Sequence, residues 1–278
     1  MMTIRNCYET KFPNSGDVFE ISMTIGIITK NTIPNFIKCV KIIDDYQHII
    51  EPDVLPSELI ELDLGHWYNK KLKKGSLPNN LVYLKMSNLY EHEFDENTFP
   101  PNLIYLELPF CYGHTINGNI LPNSIKYLHL PGLRICVIPK PLPLNLTHLY
   151  LGQNGNYNLK NIILPPTLYL ISFNGGTNCD LKHSFYPKTL KVMKFTGNTQ
   201  EQNNDKILSN IPLTVEILIF DYLLGIITNL PSSIKKIIIA NSYSYSYSKN
   251  EIIKCIPKIP FGCIIVDSND KVIIDDNN

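Results

Sequence analysis

The stretch Leu77-Pro78-Asn79-Asn80-Leu81-Val82-Tyr83-Leu84-Lys85-Met86 recurs, with altered letters, from near one end of the chain to the other. Its unit is an apolar residue, a proline, two variable residues, and apolar positions four, seven and nine residues after the start. Starts fall at Phe12, Ile33, Leu55, Leu77, Phe99, Leu121, Leu142, Leu164, Tyr186, Ile211, Leu230 and Ile259, with a spacing of 21 or 22 as far as Tyr186 and a looser one beyond it. The column four residues on reads Ile37, Leu59, Leu81, Leu103, Ile125, Leu146, Leu168 and Leu190; the column nine on reads Ile42, Leu64, Met86, Leu108, Leu130, Leu151, Phe173 and Phe195. Self-similarity at a fixed short period is the signature of a stacked repeat, in which no unit buries its apolar face alone.

The end of each unit alternates. Leu62 and Leu64, or Leu84 and Met86, point to one side of a short strand, while Asp63 or Lys85 points to the other. Proline has no N–H to give to a central strand and marks the turn that leads in. The segments between strands carry columns of their own, Tyr46, Tyr68, Tyr90 and Tyr112 nine residues before a start, and Ile28, Ile50, Leu72, Phe94 and Ile116 five before. These segments are too short for long helices, and a single alanine, Ala240, in the whole chain argues the same way. The pattern predicts a β-rich solenoid of about twelve repeats related to α/β leucine-rich folds, with parallel strands on the concave face and irregular or 3₁₀ returns on the convex face.

One domain is expected over 1–278: a degenerate cap unit over 1–32, regular repeats over 33–240, and an insertion with a C-terminal cap over 241–278. The insertion holds the alternating run Ser242-Tyr243-Ser244-Tyr245-Ser246-Tyr247-Ser248, read as looped out. Residues Cys263 to Asp275 read as a hairpin that covers the last strand edge.

Composition excludes several classes. The 278 residues are 44% hydrophobic, enough for a large core, and 25 basic residues balance 25 acidic ones, so no basic footprint for nucleic acid or an anionic membrane exists. No apolar run reaches membrane-spanning length and no secretory leader is visible. Seven scattered cysteines without a C-x-x-C pair fit reduced thiols in a cytoplasmic compartment. Neither a cofactor nor a metal is implied, because the phosphate-binding, nucleophile-elbow and zinc-helix motifs are all missing, and His48, His66, His92, His114 and His183 fall in different returns.

Tyr68-Asn69-Lys70-Lys71-Leu72-Lys73-Lys74-Gly75-Ser76-Leu77-Pro78-Asn79-Asn80-Leu81 resembles the FNIP repeat, a 22-residue relative of the leucine-rich repeat named for a Phe-Asn-x-x-Ile segment before Leu-Pro-x-Ser-Leu. Tyr157-Asn158-Leu159 and Leu121-Pro122-Asn123-Ser124-Ile125 echo parts of it. Similar repeats occur in proteins of social amoebae and of giant DNA viruses that infect amoebae, often behind an F-box that docks onto a ubiquitin-ligase scaffold. With repeats starting at Phe12, the expectation here is a chain without that F-box. If it is viral, the host-cell cytoplasm is its expected location.

On a leucine-rich solenoid a partner meets the strand residues that face away from the core. Six residues after each start this column reads Glu61, Tyr83, Tyr105, Tyr127 and His148, and eight after it reads Lys41, Asp63, Lys85, Glu107, His129 and Tyr150. Tyrosines on neighbouring strands are large, stiff and amphipathic, the type enriched at binding hot spots. The alternating signs of Lys41, Asp63, Lys85 and Glu107 keep like charges apart in a parallel stack. Recognition of a protein partner, in the manner of an adaptor, is therefore the leading expectation, by a monomer or a weakly self-associating chain, with Tyr83, Tyr105, Tyr127, His148, Lys85, Glu107, His129, Tyr150 and Asp63 as the binding face. A structural or self-associating repeat protein is the alternative. An enzyme, with Glu107 orienting His129 near His148, ranks third, and no catalytic residue is assigned.

Overall fold

The structure is a computed structural model and describes residues 18–22, 26–110, 112–117, 119–131, 139–152, 162–174, 186–196, 210–223, 226–240 and 247–275. It is a leucine-rich-repeat-like β-solenoid with thirteen strands among the described residues. Two compact units divide it, one over Phe12–Leu149 and the other holding Tyr150–Asn278.

In the first unit the strands are β1 (Val18–Ile21), β2 (Cys39–Ile42), β3 (Glu61–Asp63), β4 (Tyr83–Lys85), β5 (Tyr105–Glu107) and β6 (Tyr127–Leu130), each starting six residues after a repeat start. They pair in parallel without slippage, so Glu61, Tyr83, Tyr105 and Tyr127 lie in one row and Asp63, Lys85, Glu107 and His129 in another. β7 (His148–Leu151) begins at the unit's end, where the N–H groups of Thr147 and His148 both donate to the Lys126 carbonyl at 2.9 Å. The same forked bond recurs one repeat earlier, from Lys126 and Tyr127 to Ile104.

The second unit holds β8 (Leu170–Asn174), β9 (Val192–Thr196), β10 (Ile217–Phe220), β11 (Lys236–Ile239) and β12 (Ile264–Asp267), parallel in chain order, and β13 (Val272–Ile274), antiparallel to β12. β13 pairs along the outer edge of β12. Asp267 tightens its turn by accepting from the Asn269 and Lys271 N–H groups at 2.8 and 2.9 Å. One register differs from expectation. Ile265 rather than Val266 stands beside Ile237, so Asp267 and not Ser268 closes the last strand, because this unit is one residue shorter between its turn and its strand.

Proline's place in the turn is now explicit. The carbonyls of Pro34, Pro56, Pro78, Pro100 and Pro122 each accept from the N–H three residues on, at 3.0–3.3 Å, and the second unit repeats this at Pro165, Pro187, Pro212, Pro231 and Pro260. The turn delivers the first core residue of the strand, Leu81 in the repeat that starts at Leu77, which is fully buried together with Leu84 and Met86. Each such side chain contributes roughly 1.5–3 kcal/mol of transfer free energy.

The described returns of the first unit are turns and bends, and their tyrosine column closes the core. Tyr46, Tyr68 and Tyr90 are fully buried, and each phenol oxygen accepts the backbone N–H eighteen residues earlier. Ile28 donates to Tyr46 at 3.2 Å, Ile50 to Tyr68 at 3.3 Å, Leu72 to Tyr90 at 3.1 Å and Phe94 to Tyr112 at 3.3 Å. Irregular backbone leaves amides without a strand partner, and here a side chain from the next repeat satisfies them. Two residues before successive starts Asn31, Asp53, Gly75 and Asn97 take a left-handed φ, a conformation that Asn, Asp and Gly tolerate best.

Among the described residues one helix, α1 (Lys249–Cys255), lies in the long last spacing. Ser248 caps it reciprocally with Glu251, and Tyr247 accepts from the Leu223 N–H at 2.9 Å. The rest of the Tyr-Ser run, over 241–246, lies outside the described residues, as does the Phe12 turn. Among the described residues no helix is long and apolar enough to cross a membrane.

Candidate functional site

In the first unit the strand face opposite the core carries the expected rows, and its burial varies along the row. Tyr83 and Tyr127 are partly exposed, whereas Tyr105 between them is 1% exposed. Tyr105 stacks on Tyr83 at 4.2 Å between ring centroids with planes 13° apart, and meets the His129 ring at 5.0 Å. Its hydroxyl donates to Glu107 Oε2 at 3.1 Å. Tyr105 is thus packed between Tyr83 and His129 with its hydroxyl turned to Glu107, and it shows almost no surface. Tyr127 stacks instead on His148, at 4.5 Å and 25°.

The charged row closes an ion pair between its β4 and β5 members. Lys85 Nζ lies 3.8 Å from Glu107 Oε1, and Asp63 spends one oxygen on the Gly65 N–H at 2.8 Å. Burial pushes the Glu107 carboxyl above the ordinary range, with Lys85 and the Tyr105 hydroxyl opposing. Burial likewise lowers His148 to about 4, so its ring is neutral at pH 7, and its Nδ1 is 2.8 Å from Thr147 Oγ1. Tyr83 is pushed up to about 12, first by burial and then by Glu107.

Tyr150 falls in the second unit, where the matching face is largely aliphatic but also carries Ser172, Lys194 and Lys236. Leu170, Val192, Ile219, Ile238 and Val266 form a buried cluster with Tyr150, Ile217 and Ile264 packed against it. Tyr150 is thus a packing residue there, unlike the aromatic and charged positions of the first unit. These columns were readable: Ile217-Leu218-Ile219-Phe220 and Ile264-Ile265-Val266 are unbroken apolar runs, the mark of strands covered on both faces.

Two open depressions of about 530 and 500 Å³ lie at the turn edge of the first unit. Asp53, Ser57 and Asn80 help line one, Asn97, Pro101 and Asn119 the other, and both include Gly75 and Asn79. Neither joins Glu107, His129 and His148. In the returns, His92 Nε2 lies 3.3 Å from the Asn69 carbonyl and His114 Nε2 2.6 Å from that of Glu91, so these rings tie successive repeats together. Within Lys70-Lys71-Leu72-Lys73-Lys74, Lys71 pairs with Asp95 at 2.8 Å and Lys73 with Glu51 at 2.7 Å. Among the described residues no three His, Cys, Asp or Glu side chains gather as a metal site, and Cys39, Cys255 and Cys263 are free thiols.

Residues 27–66 and 68–111 match the model of the FNIP repeat. These two stretches, under a third of the chain, are similar to FNIP repeats. Both matched stretches lie in the first unit, where the period of 22 and the buried tyrosine column are most regular. Among solved structures the chain is similar to CroV588, a giant-virus protein described as a novel circular LRR protein, with a TM-score of 0.64 and 25% identity over 87% of this chain and 35% of that one. The chain therefore spans about a third of that neighbour's length. No curated protein matches it.

Proposed function

We propose that this chain is a protein-interaction scaffold, acting as an adaptor, and that it recognises a protein partner through the strand face of its first unit. The observation that carries the reading is the contrast between the two faces. In the first unit Tyr83 and Tyr127 stand in one row and Asp63, Lys85, Glu107 and His129 in another, set by unslipped parallel pairing, with His148 stacked on Tyr127, and all are only partly buried. In the second unit the same positions hold mostly aliphatic side chains packed together, and the lysines among them, Lys194 and Lys236, are paired with Asp221 and Asp270. Partly exposed tyrosines held by a buried one offer stiff contact area at low entropic cost. Free thiols support a reducing compartment, the host-cell cytoplasm if the protein is viral.

The test is affinity capture from amoebal lysate with the intact chain and with a Tyr83→Ala, Tyr127→Ala form. Tyr105 is left in place because its burial would confound folding with binding. Loss of a specific partner from the double variant, with thermal unfolding unchanged, is the expected result. Identical partner sets would remove this face from consideration.

A further inference from the structure

We propose that the turn edge of the first unit is a second binding surface, a groove that seats a neutral, β-linked polysaccharide with one sugar to each turn. It lies apart from the strand face and does not depend on what that face recognises.

The two open depressions, of about 530 and 500 Å³, share Gly75 and Asn79, and together they run across the successive turns that start at Ile33, Leu55, Leu77, Phe99 and Leu121. Polar side chains flank this path on both sides of the starts, Asn31, Asp53 and Asn97 two residues before and Asn35, Ser57 and Asn79 two residues after. All six are exposed, and among the described residues none of these side chains has a hydrogen bond or ion pair within the chain. Between the flanks lie the buried Leu55, Leu77 and Phe99 and the ring carbons of Pro78, Pro100 and Pro122. The hydroxyls at that depth are already spent, Ser76 on the Ile50 carbonyl at 2.7 Å and Thr98 on that of Asp95 at 2.8 Å. The groove thus has an apolar floor and unbonded polar sides. A pyranose with equatorial hydroxyls divides in the same way, with C–H groups on its faces and hydroxyls around its rim. An asparagine amide, with an acceptor and two donors, can serve a pair of neighbouring hydroxyls.

The period of the groove selects the kind of polymer. Successive turns are joined by Asn80 Nδ2 donating to the Ser57 carbonyl and Asn102 Nδ2 to the Asn79 carbonyl, both at 3.1 Å, so they stack at the strand spacing of about 4.8 Å. A β-linked glycan ribbon advances by nearly that distance per sugar, and the path from the first of these turns to the last, about 19 Å, keeps about four or five sugars in step. An extended peptide advances about 3.3 Å per residue and is out of step by the next turn. Charge selects a neutral chain: Lys30 and Lys74 against Asp53 leave one excess positive charge along the lining, too little to hold a polyanion.

The test is calorimetric titration of the intact chain with soluble cello-oligosaccharides and chito-oligosaccharides of increasing length, set against malto-oligosaccharides, whose α-linkage coils the chain out of a ribbon. Expected is an affinity for a β-linked series that rises with each added sugar and levels off at about four or five, with little affinity for the malto series. An Asn35→Ala, Asn79→Ala form should bind about tenfold more weakly, the worth of two ordinary hydrogen bonds. Both asparagines are exposed, so thermal unfolding should be unchanged. The Tyr83→Ala, Tyr127→Ala form should bind sugar as the intact chain does. Absence of binding by both β-linked series at millimolar sugar, binding that ignores chain length, or equal binding of the malto series overturns the proposal. Undiminished binding by the asparagine variant, or loss of binding in the tyrosine variant, overturns it as well.

Discussion

Replacing Tyr90 by phenylalanine isolates the bond that ties each return to its neighbour. The ring would stay where it is, stacked on Phe94 at 5.3 Å and edge-on to His92 at 5.5 Å, so packing is preserved and only the hydroxyl is lost. That hydroxyl is the acceptor of the Leu72 N–H at 3.1 Å, and both residues are inaccessible to water. A buried amide left without an acceptor costs about 1–3 kcal/mol, well above the ±0.5 kcal/mol or so typical of surface changes. Truncation to alanine would add loss of the ring and cost about 3–5 kcal/mol. Urea unfolding gives the loss for Tyr90→Phe, and hydrogen exchange locates it, because the Leu72 amide should lose protection by more than its neighbours do. Unchanged stability together with unchanged Leu72 protection would refute the claim that the phenol column satisfies the return backbone.

Gly65 has a φ of +69°, and a Cβ there would sit 2.2 Å from the Ile42 carbonyl oxygen; Gly65→Ala should lose more than about 1 kcal/mol, the strain of a left-handed residue alone, as read by urea unfolding. His148, lowered to about 4 by burial, should stay neutral in an NMR titration down to about pH 5. The unfolded chain binds that proton near the ordinary pKa of about 6.5, so stability should fall as pH drops from there toward 4, a trend that His148→Gln should blunt. Ser248→Ala removes the helix cap and should cost about 0.5–2 kcal/mol, visible as faster amide exchange in Lys249–Cys255.

The strand positions were legible because proline and a period-two pattern recur together; the parallel strands up to β11 start where the columns place them. The left-handed turns were legible too, as Asn31, Asp53, Gly75 and Asn97 repeat at one offset. What the phenols bond could not be read, since a column of tyrosines marks burial and not a hydroxyl's partner. Tyr83 and Tyr105 carry the same letter at the same offset, yet one is partly exposed and the other buried. The difference lies in their neighbours: Tyr105 has aromatic rings in register on both sides, while Tyr83 has Glu61 on one. The helix at Lys249 was signalled by Ser248-Lys249-Asn250-Glu251, a capping box hidden by the low-complexity run before it.

The central claim is that the first unit's strand face meets a protein partner, and site-specific photocrosslinking tests it most directly. A photoreactive phenylalanine analogue at Tyr127, on that face, is compared in amoebal lysate with one at Trp67, an exposed return residue. A discrete protein adduct from position 127 and none from position 67 is the predicted result. An adduct from position 67 alone, or no adduct from position 127 in a folded protein, would contradict it.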